Sequence, residues 1–187
     1  HLYHSCFDQG PCIAPHPSTL AMALMAYDAT VLVTGSDEEE EEEERSIEAL
    51  VGDGRQPTQT NALSGRALIT AVRLPPPIEG ERAAYFRAIS RSRAEWPLVE
   101  VLARLQIEEG TITAAWVAMG GVANTPLRLP GVEAALTGQR ADTADLAAAA
   151  QLAAEGAEPL PMTGYKVDLI PGTVLETLER ALSRGEA

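Results

Sequence analysis

Aromatic residues make up only 4% of this 187-residue sequence: two Phe, four Tyr and two Trp. The hydrophobic share is nevertheless 45%, so a core can be buried, and Ala, Leu and Val must fill most of it. Cysteine is equally scarce. Cys6 and Cys12 are the only two, which excludes a disulfide scaffold. Basic residues number 14 against 27 acidic ones, for a net charge of −13. They nowhere cluster to suit a phosphate backbone, which argues against nucleic acid as a partner. No apolar stretch is long enough to span a bilayer, and no basic-then-apolar leader suggests export. The expectation is a cytoplasmic chain with no membrane partner. Its length suits one ordinary domain or two small ones. A first residue of His1 rather than Met leads to the further expectation of a processed or partial product.

The acidity is partly local, because seven consecutive glutamates run from Glu38 to Glu44. Adjacent carboxylates cannot be desolvated together without large cost. Asp37 to Glu44 is therefore expected as a solvated loop outside any regular core element.

Around that run the chain divides into readable pieces. Residues 1–16 mix Cys, Gly, Pro and His without periodicity and read as loop. Ser18 or Thr19 can cap a short helix over the apolar residues 20–26. Residues 30–34 (TVLVT) and 68–74 (LITAVRL) alternate as strands, the second ended by Pro75 to Pro77. A boundary falls between Pro75 and Arg82. Beyond it, residues 83–90 read as a short strand or turn. Residues 98–107 and 111–119 alternate around Glu109–Gly110 and read as a hairpin. Gly120 and Gly121 end the second strand, where they permit close backbone packing. Short helices are expected over 131–138 and over the Ala-rich 143–156, the latter capped by Asp142 or Thr143 and stopped by Gly156. Residues 173–182 form an amphipathic helix with Val174, Leu178 and Leu182 on its stripe. The fold class is α+β, with a small partial lobe over 1–78 and a compact sheet-plus-helices domain over 79–187.

Several of these segments together resemble one family. Cys12-Ile13-Ala14-Pro15-His16-Pro17-Ser18, followed by the Ala/Leu run and Asp28-Ala29, opens the series. Gly52-Asp53, Leu63 and Leu68-Ile69-Thr70-Ala71-Val72 continue it, then Tyr85-Phe86-Arg87, Gly110-Thr111-Ile112, Ala118-Met119-Gly120-Gly121-Val122-Ala123 and Tyr165-Lys166-Val167. In order and spacing they are similar to the C-terminal portion of the FAD-binding (medium) subunit of molybdenum hydroxylases. That family comprises the xanthine dehydrogenases, carbon monoxide dehydrogenases and aldehyde oxidoreductases. The resemblance implies an oxidoreductase subunit with FAD held between two lobes. Its implied partners are a large subunit carrying the molybdenum cofactor and a small subunit carrying [2Fe–2S] clusters. Electrons would pass from those clusters through the flavin to NAD or another acceptor.

The resemblance also implies site residues, each with a plainer reading beside it. Ser18 and Thr19 fall where the family approaches the flavin, with Thr19 in place of an Asp. Both also suit a helix cap. Leu63 matches a residue whose backbone lies near the isoalloxazine, or it simply packs in the core. Arg87 matches a basic residue near the flavin entrance, where a cation would favour reduced anionic flavin, or it is a solvated strand-end charge. Cys12 fits one ligand position of the extra [4Fe–4S] cluster of some aldehyde-oxidising relatives. Such a cluster takes four cysteines, so none is expected on this chain. Cys6 and Cys12 with His1, His4 and His16 match no standard zinc spacing.

One family feature is absent. No Gly-rich loop is present to cradle the FAD pyrophosphate with backbone N–H groups, since Gly52, Gly54 and Gly65 are too scattered. The flavin site is therefore expected to be incomplete. The alternative to a redox subunit is a non-enzymatic scaffold that keeps the fold, has lost flavin and docks to partner subunits. Ser18 and Ser64 lie in no nucleophile elbow, which leaves a hydrolase without support.

Overall fold

A computed structural model of the chain describes residues 2–35, 42–56, 58–63, 65–90 and 96–183. They form two antiparallel sheets joined by a shared helix. The first sheet has the order β2-β1-β3 and the second the order β4-β5-β6-β7.

Helix α1 (Thr19–Ala26) begins where Ser18 caps it, its hydroxyl accepting from Ala21 N at 3.0 Å. The sequence TLAMALMA is apolar on every side, which suits a helix with neighbours on more than one face. The two sheets bury Met22, Met25 and Ala26, while Leu20 stays exposed. Met25 packs with Val31, Val33 and Ile47 of the first unit. Met22 and Ala26 pack on Leu102 and Ala118 of the second.

In the first sheet, β1 (Thr30–Thr34) lies between β2 (Glu43–Ser46) and β3 (Leu68–Arg73). Glu43 and Glu44 correct the expected acidic loop, because they belong to an edge strand. An edge strand can carry carboxylates, since its side chains reach water: Glu42, Glu43 and Glu44 are all exposed. Glu44 accepts from Thr30 and pairs with Arg73 across the sheet. The rest of the expected loop, Asp37 to Glu41, lies outside the described residues. Ser46 caps a short helix, α2 (Ile47–Val51), which the sequence reading did not anticipate. Strand β3 is exposed at every residue.

The second sheet is built on the expected hairpin. Strands β5 (Val99–Glu108) and β6 (Thr111–Gly120) turn at Glu109 and Gly110, whose φ values of 49° and 77° suit a tight hairpin turn. Strand β4 (Glu81–Ala88) pairs with β5 along its whole length, so the segment read as a short strand or turn is a full strand. A two-residue β7 (Leu127–Arg128) completes the sheet. Val99, Val101, Ala103 and Leu105 bury one face of β5 among the helices. The intervening residues face α1, and α1 runs along them in step. Thr19 meets Glu100, Met22 meets Leu102, and Tyr27 stacks on the Arg104 guanidinium at 4.9 Å. Arg104 is also stacked over Trp116 at 4.6 Å and paired with Glu81 at 2.9 Å.

Helices α3 (Pro130–Leu136), α4 (Leu146–Gln151) and α5 (Gly164–Ser183) close the opposite face, with one 3-10 turn (Leu152–Ala154) after α4. Two expectations need correction. Asp145, not Asp142 or Thr143, caps α4 by accepting from Ala148 N; Asp142 pairs with Arg140 instead. Helix α5 starts nine residues before the expected Thr173. Pro171 lies inside it, at the cost of one backbone hydrogen bond. Burial of Ile170, Val174, Leu178 and Ala181 on one stripe carries the helix through that break.

The N-terminal loop is strapped to this second unit. Cys6 is buried in its core, Cys6 N donates to Val122 O at 2.7 Å, and Glu158 N donates to Cys6 O at 2.9 Å. Lys166, 1% exposed, donates its ammonium to Gly121 O at 2.7 Å and Tyr3 O at 3.4 Å. Among the described residues no helix is long and apolar enough to cross a membrane.

Candidate functional site

The loops on both sides of α1 leave a cavity of about 530 Å³ between the two units. Its walls come from three stretches of chain. Cys12, Ala14, Pro15, His16 and Pro17 precede α1, which adds Ala21. Leu50 and Val51 end α2, and Gly54, Gln56, Gln59, Thr60, Asn61, Leu63 and Ile69 follow it. Asn124 and Thr125 come from the loop after β6. The volume falls within the roughly 300–1,000 Å³ usual for small-ligand sites.

Backbone and amide bonds fix these walls to one another. His16 N donates to Ala123 O at 2.8 Å, and Ala62 N donates to Leu50 O at 2.7 Å. Asn124 Nδ2 donates to Gly54 O at 2.6 Å, and the Thr125 hydroxyl donates to Gln9 Oε1 at 2.6 Å. Asn124 Oδ1 is buried with no hydrogen-bond partner among the described residues.

The chemistry of the lining is uniform. No Asp, Glu, Lys or Arg is among the described lining residues. His16 is the one titratable imidazole there, and burial lowers its pKa, which keeps it neutral near pH 7. Apolar walls with an amide rim suit a flat heteroaromatic ring. They offer a phosphate neutral donors only, with no cation to offset its charge among the described lining residues. A smaller hollow shares the wall at Val51, Gly54, Gln56, Gln59 and Asn61, and the charge in it is that of Asp53, the wrong sign for a pyrophosphate.

The residues expected from sequence separate into two groups. Cys12 and Leu63 line the cavity. Leu63 also packs against the Met25 and Val31 cluster, so it serves core and cavity together. Ser18, Thr19 and Arg87 are not in the lining. The Ser18 hydroxyl is spent on the α1 cap. The Thr19 hydroxyl donates to Glu100 Oε2 at 2.7 Å, beside Tyr85, whose hydroxyl donates to the same oxygen at 2.9 Å. Desolvation, then the Glu100 charge, pushes the Tyr85 phenol up to about 12. Arg87 sits on β4 opposite Glu100. Cys6 and Cys12 are both free thiols, and among the described residues no three His, Cys, Asp or Glu side chains group as a metal site. Gly120 packs closely as expected: a Cβ there would lie 2.8 Å from Glu100 Oε1.

Sequence reasoning missed His16 as a cavity residue, and also the Gln56, Gln59 and Asn61 rim, Asn124 and Thr125. Asn61 is the one with a local signal, since its Oδ1 accepts from Leu63 N in a turn of the Asx type.

The chain is 34% identical over 126 residues to the aldehyde oxidoreductase FAD-binding subunit PaoB of Escherichia coli (strain K12), covering 67% of this chain and 38% of that protein. Its fold resembles the Cu,Mo-CO dehydrogenase in its cyanide-inactivated form, with a TM-score of 0.76 and 22% identity over 90% of this chain and 58% of that one. The quinoline 2-oxidoreductase of Pseudomonas putida 86 gives a TM-score of 0.75 at 17% identity, covering 100% of this chain and 60% of that one. At such identities the structural likeness speaks for the fold alone. The chain spans less than two thirds of each of these relatives. Residues 84–181, just over half of the chain, match the family described as the CO dehydrogenase flavoprotein C-terminal domain, and the chain belongs to that family.

Proposed function

We propose that this chain is the ring-holding part of the FAD-binding subunit of a molybdenum hydroxylase. In that role it passes electrons from iron–sulfur clusters on a [2Fe–2S] subunit, fed by a molybdenum-cofactor subunit, through FAD to an acceptor. The observation that carries the reading is the cavity between the two units, shaped from apolar side chains and neutral amides with no charged group among its described lining residues. That donor set fits the isoalloxazine and not the pyrophosphate. Leu63, Pro17, Ala21 and Ile69 would supply the apolar wall, and His16, Asn61 and the glutamines the polar contacts. Ser18 and Thr19 act at one remove, by ordering α1 and joining it to Glu100. The flavin, when bound, supplies the electron exchange; the chain supplies its place and its surroundings.

The anchoring of the phosphates falls to the part of the relatives that this chain does not span. The test is a flavin fluorescence titration of the chain alone and with the remaining segment of such a subunit added in trans. FAD binds weakly to the chain alone and tightly to the pair. Tight, stoichiometric binding by the chain alone contradicts the assignment of the phosphates elsewhere. Undetectable binding even by the pair supports instead a scaffold that has lost flavin.

A further inference from the structure

His16 is held from two sides. Its backbone N–H donates to Ala123 O at 2.8 Å, and its Nδ1 accepts from Ser18 N at 3.2 Å. A ring nitrogen that accepts carries no proton, so the neutral tautomer places its hydrogen on Nε2. No described residue forms a hydrogen bond or ion pair with Nε2, and the imidazole lines the cavity. The other polar groups there are differently placed. Asn124 Nδ2 is committed to Gly54 O and the Thr125 hydroxyl to Gln9. Gln56, Gln59 and Thr60 are exposed, and an exposed side chain loses rotamer freedom when it binds; Asn61 is fixed at its Oδ1 by Leu63 N but is also exposed. Half-buried and fixed at both ends, His16 loses almost none.

We infer that His16 is the positioning donor of the ring site, with Nε2–H aimed at a carbonyl or ring-nitrogen acceptor of the flavin. The inference rests on the cavity being the ring site. A fixed donor there would select rings with an acceptor edge, and it would draw electron density toward that edge. Lowering of the His16 pKa by burial agrees with a neutral donor near pH 7.

The full chain can be tested with lumiflavin, which has the ring and no phosphates. Two substitutions separate the two nitrogens of the imidazole. In His16→Asn the amide oxygen takes the place of Nδ1, so Ser18 N keeps its acceptor and the donor to the ligand is lost. In His16→Gln the amide nitrogen takes the place of Nε2, so the donor is kept. The wild-type chain and His16→Gln bind lumiflavin with similar affinity, and His16→Asn binds about tenfold more weakly. The flavin carbonyl bands in the difference infrared spectrum move to lower frequency in the first two and not in the third. A merely structural role would not move those bands. Nitrogen-15 spectra of histidine-labelled wild-type protein give a second readout: the Nε2–H signal of His16 shifts on adding lumiflavin. Equal affinity and equal bands in the wild type and His16→Asn overturn the inference while leaving the ring site standing. A His16 that carries its proton on Nδ1 overturns it too. Failure of the wild type to bind lumiflavin overturns the ring site, and the inference with it.

Discussion

Lys166 is a buried amine that pairs with no carboxylate among the described residues, and its energetics follow from that. Desolvation lowers its pKa from 10.5 to about 8, while the nearby Cys6 acts the other way. At ~1.4 kcal/mol per pH unit, that lowering is roughly 3 kcal/mol of penalty on the charged form below pH 8. A base with a depressed folded pKa binds fewer protons folded than unfolded between those two values. Stability therefore rises with pH from about 8 to 10.5. Burial pushes the Cys6 thiol from 9.0 up to about 11, so between those values the folded chain binds more protons than the unfolded one. Its contribution falls with pH across that window. The two slopes oppose each other, leaving a net gain of ~1 kcal/mol between pH 8 and 9, a near-plateau to about 10.5 and then a decline. Lys166→Met keeps the volume and removes the charge. It also leaves the Gly121 and Tyr3 carbonyls without their donor, at a cost of ~1 kcal/mol each. The variant is therefore expected to be as stable as the wild type near pH 7, or ~1 kcal/mol more stable, and to lack the rise above pH 8. Urea denaturation followed by circular dichroism across this range measures the difference curve. An unchanged rise in Lys166→Met, or a loss of several kcal/mol near pH 7, would refute the reasoning.

Other expectations rest on single contacts. Glu100→Ala strands the Thr19 and Tyr85 hydroxyls and should cost ~2–4 kcal/mol, whereas Glu100→Gln keeps an acceptor and should cost far less; thermal melts distinguish them. Gly120→Ala puts a methyl group 2.8 Å from Glu100 Oε1 and should cost ~1–3 kcal/mol by the same measurement. Strand β3 exposes Leu68 (67%), Ile69 (46%) and Val72 (47%), so the chain alone should self-associate with rising concentration. Val72→Lys should suppress that in light scattering without lowering the melting temperature.

Much of the fold could be read locally. The β5–β6 hairpin was legible because the Val99, Val101, Ala103 and Leu105 alternation, which by itself left a helix open, meets a two-residue turn that Gly110 makes easy, and α1 has a cap and an apolar run. What could not be read locally depended on tertiary contacts. The earlier start of α5 could not be read, because Pro171 falls inside the helix and only the stripe from Ile170 to Ala181 on the sheet carries it through. Glutamates read as loop formers join β2 because β1 needs a partner and an edge leaves carboxylates in water. Glu100 and Arg104 look like surface charges in a strand, yet they are 1% and 2% exposed because α1 lies over them. For the site, Cys12 and Leu63 were legible. Asn124 was not, because only folding brings it against Gly54. His16 was weighed as a metal ligand, and the bond from Ser18 N that fixes its tautomer appears only in three dimensions.

The central claim is that this chain holds the ring of a flavin and not its phosphates. The most direct measurement compares lumiflavin with FAD on the chain alone by fluorescence quenching. The account expects affinities within about threefold of each other, with little dependence on salt. FAD binding about a hundredfold or more tighter than lumiflavin, the mark of charge-assisted phosphate contacts, would contradict it.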